Sequence, residues 1–143
     1  MIKLSKLTDY AITLLSVLFK NKTQSYSASS LSDLTGIPEP TTSKILKQLA
    51  NAGLLISTRG SKGGYQAIGD YEDVPLTKVI EVMEGDIALT DCAGCITHSC
   101  NNKEHCPMDG GWNEVNKAVL DTLNSFSLAG LLSKAKTIET NKQ

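Results

Sequence analysis

Four cysteines, Cys92, Cys95, Cys100 and Cys106, lie within fifteen consecutive residues, with two, four and five residues between neighbours. Soft thiolates suit zinc and iron-sulfur clusters, and a flexible loop can wrap several of them around one centre. In a short secreted chain such a cluster reads as disulfides, whereas in a reducing compartment it is more often a metal or iron-sulfur site. Structural zinc usually takes two knuckles with roughly two to four residues inside each. Here Cys92 and Cys95 form one such knuckle and no second follows. The spacing alone therefore suits zinc, iron-sulfur and thiol redox chemistry alike. His98 and His105 are further candidate ligands, although a loop histidine is more often merely solvated.

A second chemistry is polyanion recognition. Arg59 is the only arginine of the chain and stands in Arg59-Gly60-Ser61-Lys62-Gly63-Gly64, a glycine-rich turn with two cations. A guanidinium on a narrow turn can enter a DNA minor groove, whose negative potential attracts it; the plainer alternative is a solvated turn charge. The wider charge pattern favours the first. Residues 1–66 hold eight basic and three acidic side chains, a net of +5, while residues 67–143 hold six and twelve, a net of -6. A basic front on an acidic body hints at a polyanionic partner that the overall charge of -1 conceals.

The elements that must carry these groups follow from periodicity. Leu4, Leu7, Ala11, Leu14 and Leu18 recur at helical spacing, predicting an amphipathic helix over residues 4–20 with one buried stripe. Serines at 27, 29 and 30 supply N-caps for a short helix carrying Leu31 and Leu34, which Thr35-Gly36 stops. Pro38 and Pro40 fit a first helical turn, so a third helix should run from about residue 39 to Asn51-Ala52-Gly53, burying Ile45, Leu46 and Leu49. Its polar residues Thr41, Thr42, Ser43, Lys44 and Gln48 should face outward. Two helices joined at a glycine turn, followed by strands near 54–58 and 65–68 around the basic tip, give the winged helix-turn-helix order. A fourth helix should bury Leu76, Val79, Ile80 and Met83 and end at Gly85. After the cysteine loop, Trp112, Val115, Val119, Leu123 and Phe126 repeat at helical spacing, and Ser127 can cap a last short helix.

At 143 residues, with 41% hydrophobic and 20% charged side chains, one folded domain is expected. The apolar run from Tyr10 to Phe19 is about half of what a membrane-spanning helix needs. The opening Met-Ile-Lys-Leu-Ser-Lys shows no small-residue cleavage pattern, so a cytoplasmic location is expected. No acid/base pair accompanies the cysteines, and enzyme activity is not expected.

Together these motifs resemble one family, the iron-sulfur-dependent winged-helix transcription regulators of the IscR, NsrR and RirA type. The resemblance rests on Leu4-Ser5-Lys6-Leu7-Thr8-Asp9-Tyr10-Ala11, on Ile37-Pro38 through Leu46-Lys47-Gln48-Leu49, on the wing Arg59 to Tyr65, and on a cysteine loop placed before the Trp112 helix. Within the family the chain is most similar to regulators of the SUF iron-sulfur assembly system. The resemblance implies a mainly α fold with a small β-hairpin: a winged helix-turn-helix over 1–85, a cluster-binding loop over 86–111, and a long dimerisation helix and tail over 112–143. It implies a 2Fe-2S or 4Fe-4S cluster held by Cys92, Cys100 and Cys106, with Cys95 additional. The fourth ligand is open: IscR-like members carry a histidine three residues after the third cysteine, where this chain has Asp109, whereas NsrR-like members use an N-terminal aspartate matched by Asp9. It further implies a homodimer on double-stranded DNA, with no membrane or small-molecule substrate involved. Thr41, Thr42, Ser43, Lys44, Gln48, Arg59 and Lys62 would contact DNA, with Glu39 at the edge. Gain, loss or oxidation of the cluster would reorder the loop and shift the dimer between DNA-binding states.

Overall fold

The computed structural model describes residues 2–94 and 103–134. Helix α1 (Lys6–Lys20) starts at Ser5, whose hydroxyl accepts the Thr8 N–H at 3.3 Å. Because the cap falls at Ser5, Leu4 lies ahead of the helix and is exposed, which corrects its expected place in the buried stripe. Ala11, Leu14, Leu15 and Leu18 make that stripe instead.

Helix α2 (Ala28–Thr35) has Ser27 as its cap, accepting the Ser30 N–H at 3.0 Å, and ends at Gly36 in the left-handed conformation with φ 72°. Only glycine adopts that conformation readily, so the turn into the next helix is set at this position. Helix α3 (Glu39–Asn51) follows, with Pro40 in its first turn. It packs on α1 and α2, burying Ile45, Leu46 and Leu49 against Leu14, Leu18 and Leu31.

Strands β1 (Leu55–Thr58) and β2 (Gly64–Ala67) pair antiparallel, Leu55 opposite Ala67 and Thr58 opposite Gly64. The hairpin is anchored from outside. Tyr26 donates its N–H to the Tyr65 carbonyl at 2.9 Å and accepts the Tyr65 N–H at 2.7 Å, acting as a one-residue third strand. A Cβ on Gly64 would lie 2.5 Å from the Tyr26 carbonyl oxygen, so this close approach requires glycine.

Helix α4 (Leu76–Glu84) packs on α1 and α3 and ends at Gly85. Its last residue closes the molecule on the start of α1: the Glu84 carboxylate accepts the Ser5 N–H at 2.7 Å and the Thr8 hydroxyl. The Thr8 hydroxyl bond, with a smaller share from Ser5, outweighs partial desolvation and holds the Glu84 pKa below its ordinary value. The contribution to stability is therefore present above the unfolded value of about 4.3 and is lost as the pH falls through the lower folded value. Glu84→Gln should cost under about 1 kcal/mol at neutral pH, because the carboxylate is solvated. It should also flatten the acid limb of the stability profile, which denaturant titrations between pH 7 and 3 would read; parallel wild-type and variant curves would refute the assignment.

Beyond the cysteine loop, α5 (Asn113–Asn124) packs on α4, and α6 (Leu128–Leu132) is the last helix among the described residues. The expected helical run to Phe126 stops two residues early, since the Phe126 carbonyl accepts the Leu76 N–H at 2.9 Å and the Leu128 N–H reaches the Val74 carbonyl at 2.8 Å. Ser127 caps α6 through the Gly130 N–H at 3.0 Å. No helix among the described residues is long and apolar enough to cross a membrane.

Candidate nucleic-acid interface and cysteine loop

Helix α3 sorts its side chains by burial. Thr42, Ile45, Leu46 and Leu49 face the core, while Pro40, Lys44 and Lys47 form the outer stripe. Thr41 and Gln48 flank that stripe on one side and Ser43 on the other, each half-buried, and Glu39 is exposed at the helix start. Thr42 corrects the expected set of outward residues: it is 0% exposed and its hydroxyl donates to the Ile37 carbonyl at 3.2 Å. The hydroxyl closes the α2–α3 turn, so Thr42 positions the helix and does not reach a groove. Lys47 was absent from the expected contacts, although its position three residues after Lys44 marks it as a neighbour on the same face.

The wing tip, residues 59–63, carries Arg59 and Lys62, both exposed. Among the described residues no carboxylate forms an ion pair with either of them, or with Lys44 or Lys47. The Gly63 N–H closes the tip on the Gly60 carbonyl at 2.9 Å, and a Cβ on Gly63 would lie 2.3 Å from the Thr58 carbonyl oxygen. The tip is thus a tight turn with exposed cations. Such an outer helix stripe and wing fit phosphate positioning and base-edge contact in adjacent grooves.

The cysteine loop is described at both ends. Cys92 is exposed, with its Sγ 3.3 Å from the Thr90 hydroxyl, and Cys106 is half-buried; both are free thiols. His105 is exposed in a short 3-10 turn, Lys103–His105, and Asp109 is exposed three residues after Cys106. Cys95, His98 and Cys100 lie outside the described residues. The donor chemistry fits a thiophilic group, since two free thiols stand at the two ends of a loop whose sequence holds further cysteines. No set of three His, Cys, Asp or Glu side chains converges among the described residues. Asp9 is exposed on α1, on an open groove of about 700 Å³ lined also by Lys3, Leu4, Ser5, Lys6, Ile12 and Glu84.

One site residue is not legible in the sequence. Asn116, in α5, is 3% exposed and fully bonded to the loop: its Oδ1 accepts the Leu89 N–H at 2.9 Å, and its Nδ2 donates to the Ile87 carbonyl at 3.3 Å and the Ala93 carbonyl at 3.1 Å. An asparagine in a helical repeat looks like a solvent-facing residue, and no local signal distinguishes this one. Beside it apolar side chains stay open, with Val115 on α5 46% exposed and Trp112 and Phe126 at its two ends 39% and 42% exposed.

A small helical core, a glycine-turned helix pair and a cationic hairpin define a winged helix-turn-helix protein that binds double-stranded DNA. Residues 4–134 match the Rrf2 family, described as iron-dependent transcriptional regulators. The chain belongs to the Rrf2 family. Protein rrf2 of Nitratidesulfovibrio vulgaris is 30% identical over 128 residues, covering 90% of this chain and 85% of that one. The HTH-type transcriptional regulator IscR of Vibrio vulnificus is 27% identical over 138 residues, covering 96% and 81%. Among solved structures, the global cysteine regulator CymR of B. subtilis superposes with a TM-score of 0.70 at 25% identity, covering 95% of this chain and 100% of that chain. This is a family of transcriptional regulators, not of enzymes.

Proposed function

We propose that this Rrf2 protein senses an iron-sulfur cluster and regulates genes of iron-sulfur cluster assembly or iron homeostasis in the cytoplasm. The observation that supports the reading is the cysteine loop: free thiols at Cys92 and Cys106 bracket the rest of the cluster-forming segment, and the loop is bonded directly to α5. Cys92, Cys100 and Cys106 would hold a 2Fe-2S or 4Fe-4S cluster, with Cys95 additional and Asp9 of the partner subunit as a candidate fourth ligand. When bound, the group supplies a tether whose strength depends on iron and on oxidation state.

The chain's own residues do the rest. The exposed apolar side chains of Val115 on α5 and of Trp112 and Phe126 at its two ends form the kind of patch that a second copy of the chain covers. Dimerisation there presents two α3 helices to successive major grooves. Lys44 and Lys62 neutralise phosphates, Thr41, Ser43 and Gln48 stand near base edges, and Arg59 extends beside them from the wing.

Anaerobic purification with iron and sulfide counts and a visible spectrum tests the reading. Coloured protein containing both iron and sulfide is expected. A colourless zinc protein would replace it with a zinc-stabilised DNA-binding protein, and metal-free protein with a Cys92–Cys95 disulfide would replace it with thiol redox chemistry.

A further inference from the structure

We propose that Asn116 is the positioning residue that couples the cysteine loop to helix α5. The inference rests on the sensing reading for its purpose but on the hydrogen bonds for its substance. The span 87–93 contains Cys92, and three of its backbone groups, the Ile87 and Ala93 carbonyls and the Leu89 N–H, end on one buried side chain. Both ends of the span are therefore fixed to the same point, with the Cys92 thiol between them. A buried amide with all three bonds made resists any single displacement, since breaking one leaves an unpaired polar group out of water. The loop cannot move at Cys92 without carrying Asn116 along or losing these bonds.

The place of Asn116 on α5 decides what is carried. It lies one turn after Trp112 and one turn before Leu120, on the flank of the stripe formed by Trp112, Val115, Val119 and Leu123. A change of the loop at Cys92 is thus transmitted as a shift of the exposed apolar face, and no other side chain contact between loop and helix is required for it. Only a side-chain amide makes this set of bonds, because Oδ1 accepts and Nδ2 donates twice, a pattern that neither aspartate nor alanine reproduces.

The test uses the full, metal-free, reduced chain, with iodoacetamide as the probe that adds bulk to the loop thiols, and hydrogen exchange as the readout. In the wild type, alkylation is expected to speed exchange across the α5 peptides by about tenfold. In Asn116→Ala the Leu89 amide should already exchange faster before alkylation, and in both Asn116→Ala and Asn116→Asp, which lack the donor to the Ile87 and Ala93 carbonyls, α5 should no longer respond to it. Glu114→Gln, an exposed change on the same helix, should behave as the wild type. Asn116→Asp keeps size and the acceptor for Leu89, so it decides the matter if the alanine variant fails to fold. An α5 response in the aspartate variant equal to that of the wild type would overturn the proposal, as would a wild type whose α5 ignores alkylation. Failure of the sensing reading is seen separately, as protein that stays colourless after anaerobic reconstitution with iron and sulfide.

Discussion

Serine at Cys92, Cys100 or Cys106 is expected to abolish the visible absorption of anaerobically prepared protein, while serine at Cys95 leaves most of it. Serine preserves the size of the side chain but replaces a soft, readily ionised thiol with a hard hydroxyl that stays protonated at neutral pH, so it removes the ligand and little else. The expected effect is all or none because a site short of one thiolate loses most of its affinity for a thiophilic cluster. The folded core should not register the change. Every residue of the described core cluster, from Ala11 to Val79 together with Leu128, lies outside 86–111, so the far-ultraviolet dichroism and unfolding midpoint of the metal-free variants should match the metal-free wild type. Full colour in any of the first three variants, or loss of colour on changing Cys95 alone, would overturn the three-cysteine assignment and favour a different ligand set. A variant that lost both colour and fold would show that the loop carries structural weight which its exposed Cys92 does not suggest.

What the sequence disclosed and what it hid divide along the range of the interactions involved. Ser27, Gly36, Pro40 and Ser127 act on backbone groups within a few residues of themselves, and the helix boundaries they imply match the structure. The hairpin is legible for the same reason, since its glycines and alternating strands are local signals. Thr42 misleads because a short polar side chain on an amphipathic helix looks solvent-facing, whereas its hydroxyl turns back to the Ile37 carbonyl five residues earlier. Asn116 is invisible because its partners lie 23 to 29 residues away in sequence. The stripe from Trp112 to Phe126 can be seen to be apolar, but periodicity does not say whether a stripe is covered within the chain; the structure leaves Trp112, Val115 and Phe126 substantially exposed.

Arg59→Ala is expected to weaken binding to the specific operator by about 1 to 3 kcal/mol, roughly five- to 150-fold. The size of the effect follows from the geometry of the tip. Arg59 is exposed, the turn that bears it is closed by the Gly63 N–H on the Gly60 carbonyl, and Gly63 could not carry a side chain without striking the Thr58 carbonyl. A narrow, hydrogen-bonded turn places one guanidinium ahead of the protein surface, free to reach into a groove. A minor groove narrowed over an A·T-rich segment offers it a more negative potential than a wider G·C-rich one, so the arginine should confer preference at flanking positions as well as affinity. Lysine at this position keeps the charge but holds its hydration shell more strongly, and Lys62 nearby already supplies a point charge for phosphate. Arg59→Lys should accordingly restore most nonspecific binding and little of the flank preference. Competition binding of the three proteins on operators that differ only in the wing-facing flank separates the two contributions. If wild type, alanine and lysine variants rank those operators identically, the wing contributes charge alone, and the specificity of this regulator resides in α3.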